Sequence, residues 1–214
     1  IYRKMHVLQP AADRAFVIQS AGNLATTQEV LDRINRDLDA DDGRETLATV
    51  DRLFEAALYL GRVSREVVAS HRESLATSGA DGTATFILGG QIQGEAPEIF
   101  LVYPEGNYIR SSKTRPFLQI GETKFGKFWL ELVTLVRPDL GVGMKIALGS
   151  MLSTTRANLS VGPPFDLATY RTEPLVLHAR AGGRLTEDEP ELGEAGDSYR
   201  YDPGDPTPSV GGPT

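Results

Sequence analysis

The chain has 214 residues, 40% of them hydrophobic and none of them cysteine, with a formal charge of −7. That length allows one well-buried core. The lack of cysteine removes disulfides, thiol nucleophiles and thiolate metal sites together, and no apolar run of about 18 residues is present to span a membrane.

The charge is uneven: residues 185–214 hold eight acidic side chains against Arg200 alone, so residues 1–184 carry no net charge. A neutral body without a basic stripe lacks the electrostatic footprint of a nucleic-acid binder. From the start, Tyr2 to Leu8 and Ala15 to Ser20 read as short strands around a turn at Pro10 to Asp13. Asn23 is a good N-cap for a helix reaching about Asp39, with Leu24, Leu31, Ile34 and Leu38 at helical spacing. A long second helix is predicted from about Thr49 to Leu75, striped by Val50, Leu53, Phe54, Ala57, Leu60, Val63 and Val67. Between the two, Asp37, Asp39, Asp41 and Asp42 resemble calcium ligands. However, Gly43 falls one place late and no glutamate closes the loop, so they read as a solvated helix end.

Thr83–Ile92, Ile99–Tyr103, Tyr108–Arg110 and Phe117–Ile120 then form a meander of strands. Helices over about Lys124–Val136 and Gly141–Asn158 lead to a last strand pair near Phe165–Tyr170 and Leu175–Ala179. Antiparallel strands in blocks, separated by helix pairs, suit stacked layers. The fold class is therefore α+β, a four-layer αββα sandwich of two antiparallel sheets, in one domain over residues 1–184. Residues 185–214, acidic and rich in Pro and Gly, bury too little apolar surface to offset their ordering entropy and read as a disordered tail.

Pro116 to Phe128 runs strand, glycine turn, helix, close to a phosphate-binding loop. Gly121, Gly126 and Lys127 suit phosphates, but Phe128 stands where Mg²⁺ needs a hydroxyl, and no later strand ends in a metal-holding aspartate. A nucleotide-binding role for Gly121–Lys127 is kept as a third reading. His6, His71 and His178 show no metal spacing, and Ser150, Ser153 and Ser160 lack a glycine-framed elbow. No metal and no cofactor are expected.

Four segments carry a more specific signal: Tyr2–His6, Ser20–Thr27 (Ser-Ala-Gly-Asn-Leu-Ala-Thr-Thr), Phe86–Ile92 (Phe-Ile-Leu-Gly-Gly-Gln-Ile), and Phe117–Lys124 together with Asn158–Gly162. In order and spacing, over about Tyr2 to Tyr170, the chain resembles Anbu, the bacterial proteasome-like family named for an ancestral beta subunit, within the N-terminal-nucleophile hydrolases. The resemblance implies an N-terminal threonine whose hydroxyl attacks a peptide carbonyl while its own amine serves as base. It also implies a lysine that keeps the amine unprotonated, held by an upstream aspartate. Lys4 matches that lysine; its other reading is an ordinary solvent-facing side chain. Gly22, at a turn opening a helix, matches the donor of the oxyanion N–H, and its other reading is a glycine needed for the turn alone. Ser20, Leu24 and Gln28 would border the pocket for the substrate side chain. Asn158 and Ser160 match residues that support the nucleophile, or else serve helix capping and turn chemistry. Leu152 departs from the aspartate usual at that place in the family.

The sequence starts at Ile1, after the place where the threonine and aspartate are implied. Upstream strands that carry them are expected in the working protein, and residues 1–214 alone are expected to have no peptidase activity. The resemblance further implies self-assembly into a homo-oligomer, a peptide substrate and a cytoplasmic location. A catalytically silent scaffold subunit is the second reading.

Overall fold

Phe16 and Ile18, then Ala84, Phe86 and Leu88, then Phe100 and Val102 recur at alternate positions of three strands, and all are buried. A period of two puts them on one face of a sheet, and helices cover that face. The computed structural model describes residues 2–40, 42–163, 165–171 and 176–183; the tail read over 185–214 lies outside them. The chain divides into two units. One comprises Ile1–Ser111 with Leu118–Gly121; the other contains the described residues of Ser112–Phe117 and those from Glu122 onward.

The first unit runs β1 (Met5–Ala11), β2 (Arg14–Gly22), α1 (Leu24–Asp39), α2 (Leu53–Ser70), α3 (Arg72–Ser78), β3 (Ala84–Ile92), β4 (Glu98–Val102) and β5 (Tyr108–Arg110). Its sheet has the order β1-β2-β3-β4-β5, with every neighbouring pair antiparallel. Val30 and Ile34 of α1 and Leu53, Ala56, Leu60, Val63 and Val67 of α2 pack with the alternating sheet residues in one core. Each large apolar side chain fully buried there stabilises the fold by roughly 1.5–3 kcal/mol.

Several boundaries differ from the expectation. β1 begins at Met5, so Tyr2, Arg3 and Lys4 precede the strand, and it continues to Ala11 through a register shift after Leu8. Pro10 lies within that shift on an outer strand, where a missing N–H costs least. Phe117–Ile120 form no strand. Ser112 and Arg115 instead exchange backbone hydrogen bonds of 2.9 and 3.1 Å in a tight turn, and Pro116 follows with no N–H to offer a ladder. The long second helix is two helices. Glu55 reaches back to the N–H groups of Asp51 and Arg52 at 3.0 and 2.9 Å and so sets the start of α2. At the other end the Ser70 hydroxyl donates to the Val67 carbonyl at 2.7 Å, a back-bond that bends helices, and His71 turns aside to meet Glu29 at 2.6 Å.

Asp37 corrects the reading of a solvated acidic helix end: it is buried. Its carboxylate accepts hydrogen bonds from the Tyr59 hydroxyl at 3.0 Å, from Arg44 at 2.9 Å and from Arg36 at 3.1 Å, tying the loop after α1 to α2. Burial alone raises the Asp37 pKa, but these three donors outweigh it and hold the carboxyl below its usual range. Burial, and then the bond to Asp37, push the Tyr59 phenol upward.

Backbone meets backbone where α2 crosses the β4–β5 turn. A Cβ on Gly61 would stand 2.3 Å from the Gly106 carbonyl oxygen, and Gly106 has φ +85°. The helix therefore rides on the turn with no side chain between.

The second unit contains α4 (Lys127–Val136), α5 (Leu140–Ala157), β6 (Phe165–Arg171) and β7 (Val176–Gly183). Asp139 caps α5, accepting from the Val142 N–H at 2.8 Å. Trp129 of α4 lies against Gly149 of α5, where a Cβ would meet the ring at 2.9 Å, and its indole N–H donates to the Ser153 hydroxyl at 2.7 Å. β6 and β7 pair antiparallel as a two-stranded sheet. Among the described residues the fold is thus α+β with one five-stranded and one two-stranded antiparallel sheet. Among the described residues no helix is long and apolar enough to cross a membrane.

Gly61→Ala improves helix propensity, yet is expected to lower stability by about 1–3 kcal/mol, because the contact is backbone and cannot rotate away; thermal melting measures the sign. Tyr59→Phe leaves a buried carboxylate oxygen short of a donor and is expected to cost about 1–3 kcal/mol. Because the folded Asp37 pKa is depressed, its stabilisation is present above the unfolded carboxyl value of about 3.9 and is lost as pH falls through the lower folded value. A melting series in acid is expected to show a shallower loss of stability for Asp37→Asn than for wild type.

Candidate functional site

At the end of β2 two of the segments carrying the sequence signal, Tyr2–His6 and Ser20–Thr27, meet. Met5 pairs with Gln19, and one step further the Ser20 N–H donates to the Lys4 carbonyl at 3.0 Å. Odd positions of β2 bond in the opposite direction: the Asn23 N–H donates to the Thr83 carbonyl, beside β3, at 2.8 Å. Alternation along the strand then sends the Gly22 N–H toward the same edge as that of Ser20, the edge along which Lys4 and Tyr2 run. Lys4 and Gly22 thus lie at one end of the β1–β2 pair. Lys4 is exposed and precedes the strand in which the sequence placed it.

Gly22 is required for two physical reasons. Its φ is +107°, a region that L side chains rarely adopt, and a Cβ would stand 2.6 Å from the Thr83 carbonyl oxygen. Immediately after it the Asn23 side-chain oxygen accepts the Thr26 N–H at 3.1 Å and caps α1. The three residues expected at the substrate pocket lie along this corner: Ser20 is buried on β2, Leu24 is half-buried in the first turn of α1, and Gln28 is exposed one turn later. An N–H at a strand end that opens a helix, with a lysine on the neighbouring strand's approach, is chemically suited to donate to a developing oxyanion.

The corner is held by residues that the sequence did not single out. The Asn23 amide NH₂ donates to the Asp81 carbonyl at 2.9 Å, and the Thr26 hydroxyl donates to the Gly82 carbonyl at 2.7 Å. With the Asn23 N–H on Thr83, three consecutive carbonyls are taken by the start of α1. Asp81 in turn accepts the Thr83 N–H at 2.8 Å, which holds its carboxyl below the usual range. Paired threonines in a helix's first turn, both buried, were the available signal.

Asn158 and Ser160 lie in the second unit, in the turn after α5. The Asn158 oxygen accepts both the Ser160 N–H at 2.9 Å and its hydroxyl at 2.7 Å, the turn chemistry these residue types favour. The Asn158 amide donates to Glu122 at 3.4 Å. Leu152 is half-exposed on α5. The segment resembling a phosphate-binding loop has no strand before it, and Lys127 is the first residue of a helix, so the strand, loop and helix context that such a loop needs is missing.

These features define an α+β protein whose five-stranded antiparallel sheet presents a glycine corner beside a lysine. No family model and no curated protein matches the chain. Solved structures do. Anbu from Yersinia bercovieri shares 37% identity with a TM-score of 0.72, covering 89% of this chain and 78% of that one. An Anbu (Gly-1) mutant from Hyphomicrobium sp. strain MC1 shares 36% identity with a TM-score of 0.74, covering 89% and 77%. The Anbu complex from Pseudomonas aeruginosa, solved as a helical assembly, shares 35% identity with a TM-score of 0.77, covering 90% and 78%. The chain belongs to the Anbu family of proteasome-like beta subunits.

Gly22→Ala is expected to destabilise the protein by about 1–3 kcal/mol through backbone strain at a positive φ. Thermal melting checks it, and an unchanged midpoint would mean that the corner tolerates a side chain.

Proposed function

We propose that this chain is part of a peptidase of the threonine type, cleaving peptide or amide bonds through an N-terminal threonine carried on sequence preceding Ile1. The observation that carries the reading is the Lys4–Ser20 backbone bond, which sets Lys4 at the same end of the β1–β2 pair as Gly22 in a member of a proteasome-like family. In this mechanism the threonine hydroxyl attacks the carbonyl carbon and its proton passes to the threonine's own amine. Lys4 favours the neutral amine through its positive charge. The carbonyl electrons move onto oxygen, and the Gly22 N–H donates a hydrogen bond to the resulting oxyanion. Collapse expels the substrate amine, which takes the proton, and leaves an ester. Water then attacks that ester and regenerates the threonine. Ser20, Leu24 and Gln28 border the substrate side chain, and Asn158 with Ser160 supports the nucleophile from its turn.

The same reading includes the four-layer αββα sandwich of two antiparallel sheets. It also includes assembly of copies into a homo-oligomer in the cytoplasm, which the helical assembly of the Pseudomonas aeruginosa protein supports. Exposed apolar side chains on α4, Phe128 at 74% and Leu135 at 77%, suit such contacts.

A second reading, a silent scaffold subunit, is favoured by one observation: Asn158 and Ser160 already satisfy each other within their turn. One experiment separates the two. Full-length protein with a free N-terminal threonine is expected to be labelled by an electrophile that captures threonine, followed by intact mass, and Lys4→Ala is expected to abolish labelling. Correctly processed protein that takes up no label supports the scaffold.

A further inference from the structure

Three successive carbonyls, of Asp81, Gly82 and Thr83, each accept one hydrogen bond from the start of α1. Two of the donors belong to Asn23, its amide NH₂ and its backbone N–H; the third is the Thr26 hydroxyl. Thr26 is buried, at 7% exposure, and so is Gly82, so this bond is made away from water. On its other side Gly82 faces the Leu75 side chain of α3, whose methyl would stand 2.4 Å from a Cβ at that position. The loop thus lies between Leu75 on one side and the hydrogen bonds from Asn23 and Thr26 on the other. Its last carbonyl, Thr83, is the group against which Gly22 folds, with only 2.6 Å to a Cβ position. The peptide that carries the Gly22 N–H therefore takes its direction from where this loop sits.

We infer that Thr26 is a positioning residue for the proposed hydrolysis: its hydroxyl fixes the 81–83 loop, which sets the direction of the Gly22 N–H toward the developing oxyanion. The inference rests on the threonine-peptidase reading for its chemical consequence, but not for the clamp itself. Thr26 touches no reacting atom. Its effect passes through Gly82 and Thr83 to Gly22.

Thr26→Val keeps the shape and removes the donor, leaving the buried Gly82 carbonyl unsatisfied. Asn23→Asp keeps an equally good helix cap but removes the donor to Asp81. Thr26→Ser retains the hydroxyl. On the full-length, processed protein, amide hydrogen exchange is followed by mass in peptides spanning 19–28 and 80–86, with α2 as internal reference. Thr26→Val and Asn23→Asp are each expected to speed exchange in those two peptides about tenfold, while α2 stays at the wild-type rate and Thr26→Ser restores protection. Turnover of a peptide reporter by Thr26→Val is expected to fall in kcat with KM unchanged, as befits a contact made in the transition state.

Wild-type exchange in both peptides for Thr26→Val overturns the clamp. Equal acceleration through α2 overturns it as well, because Thr26 is then a general stability residue; Asn23→Asp guards against judging on a variant that has simply unfolded. Loosened exchange with unchanged kcat overturns the positioning role. A wild-type protein that is correctly processed and turns over nothing removes the peptidase reading, and exchange alone then decides whether the clamp exists.

Discussion

The Thr83 carbonyl oxygen occupies the space that a Cβ of residue 22 would need, and this steric fact organises the corner around it. Because only glycine fits, the backbone at residue 22 takes a positive φ and turns straight from β2 into α1. The turn lets Asn23 cap the helix and also pair its backbone with the loop before β3. β2 sits between β1 and β3 in the sheet, so both flanking strands meet at this point. Lys4 arrives from one side and the Asp81–Thr83 loop from the other. One backbone contact thus couples the three segments whose chemistry matters.

Much of this was legible in the sequence, for identifiable reasons. Asn23 announced a helix start because its short polar side chain can replace a backbone acceptor, and α1 ends at Asp39 as its apolar spacing indicated. The alternation in Phe86–Ile92 marked a strand with one buried face. The resemblance of the Ser20–Thr27 segment located the glycine corner. Failures came where a distant partner decides the outcome. Asp37 looked like one of a solvated acidic group, but its partner Tyr59 lies 22 residues away, and nothing local in an aspartate's spacing reveals a buried phenol. The break at His71 was hidden because apolar periodicity continues through it; what ends α2 is a serine back-bond and a pairing with Glu29 on another helix. Phe117–Ile120 has strand composition, but Pro116 and the Ser112–Arg115 turn direct the chain elsewhere. Thr26 was passed over because a threonine in a first helical turn is ordinary, and only the position of Gly82 makes it unusual.

The two polar clusters of the first unit do different work. Asp37, Tyr59, Arg36 and Arg44 form a buried, well-satisfied network that fastens one loop to α2 and answers to acid. Such networks favour one arrangement of the chain, since a partly satisfied version is costly. The Asn23–Thr26–Asp81 set is built chiefly from neutral hydrogen-bonding groups and carbonyls. Its geometry therefore depends little on pH.

β1 has a further consequence for how copies of this protein can meet. Its outer side is interrupted by Pro10 and by the slip in register between Leu8 and Ala11, so it cannot serve as a continuous template for another chain's backbone. Joining sheets edge to edge would leave amide and carbonyl groups unmatched in the middle of the seam. Along this border the interruption works against the runaway fibre growth that open strands invite.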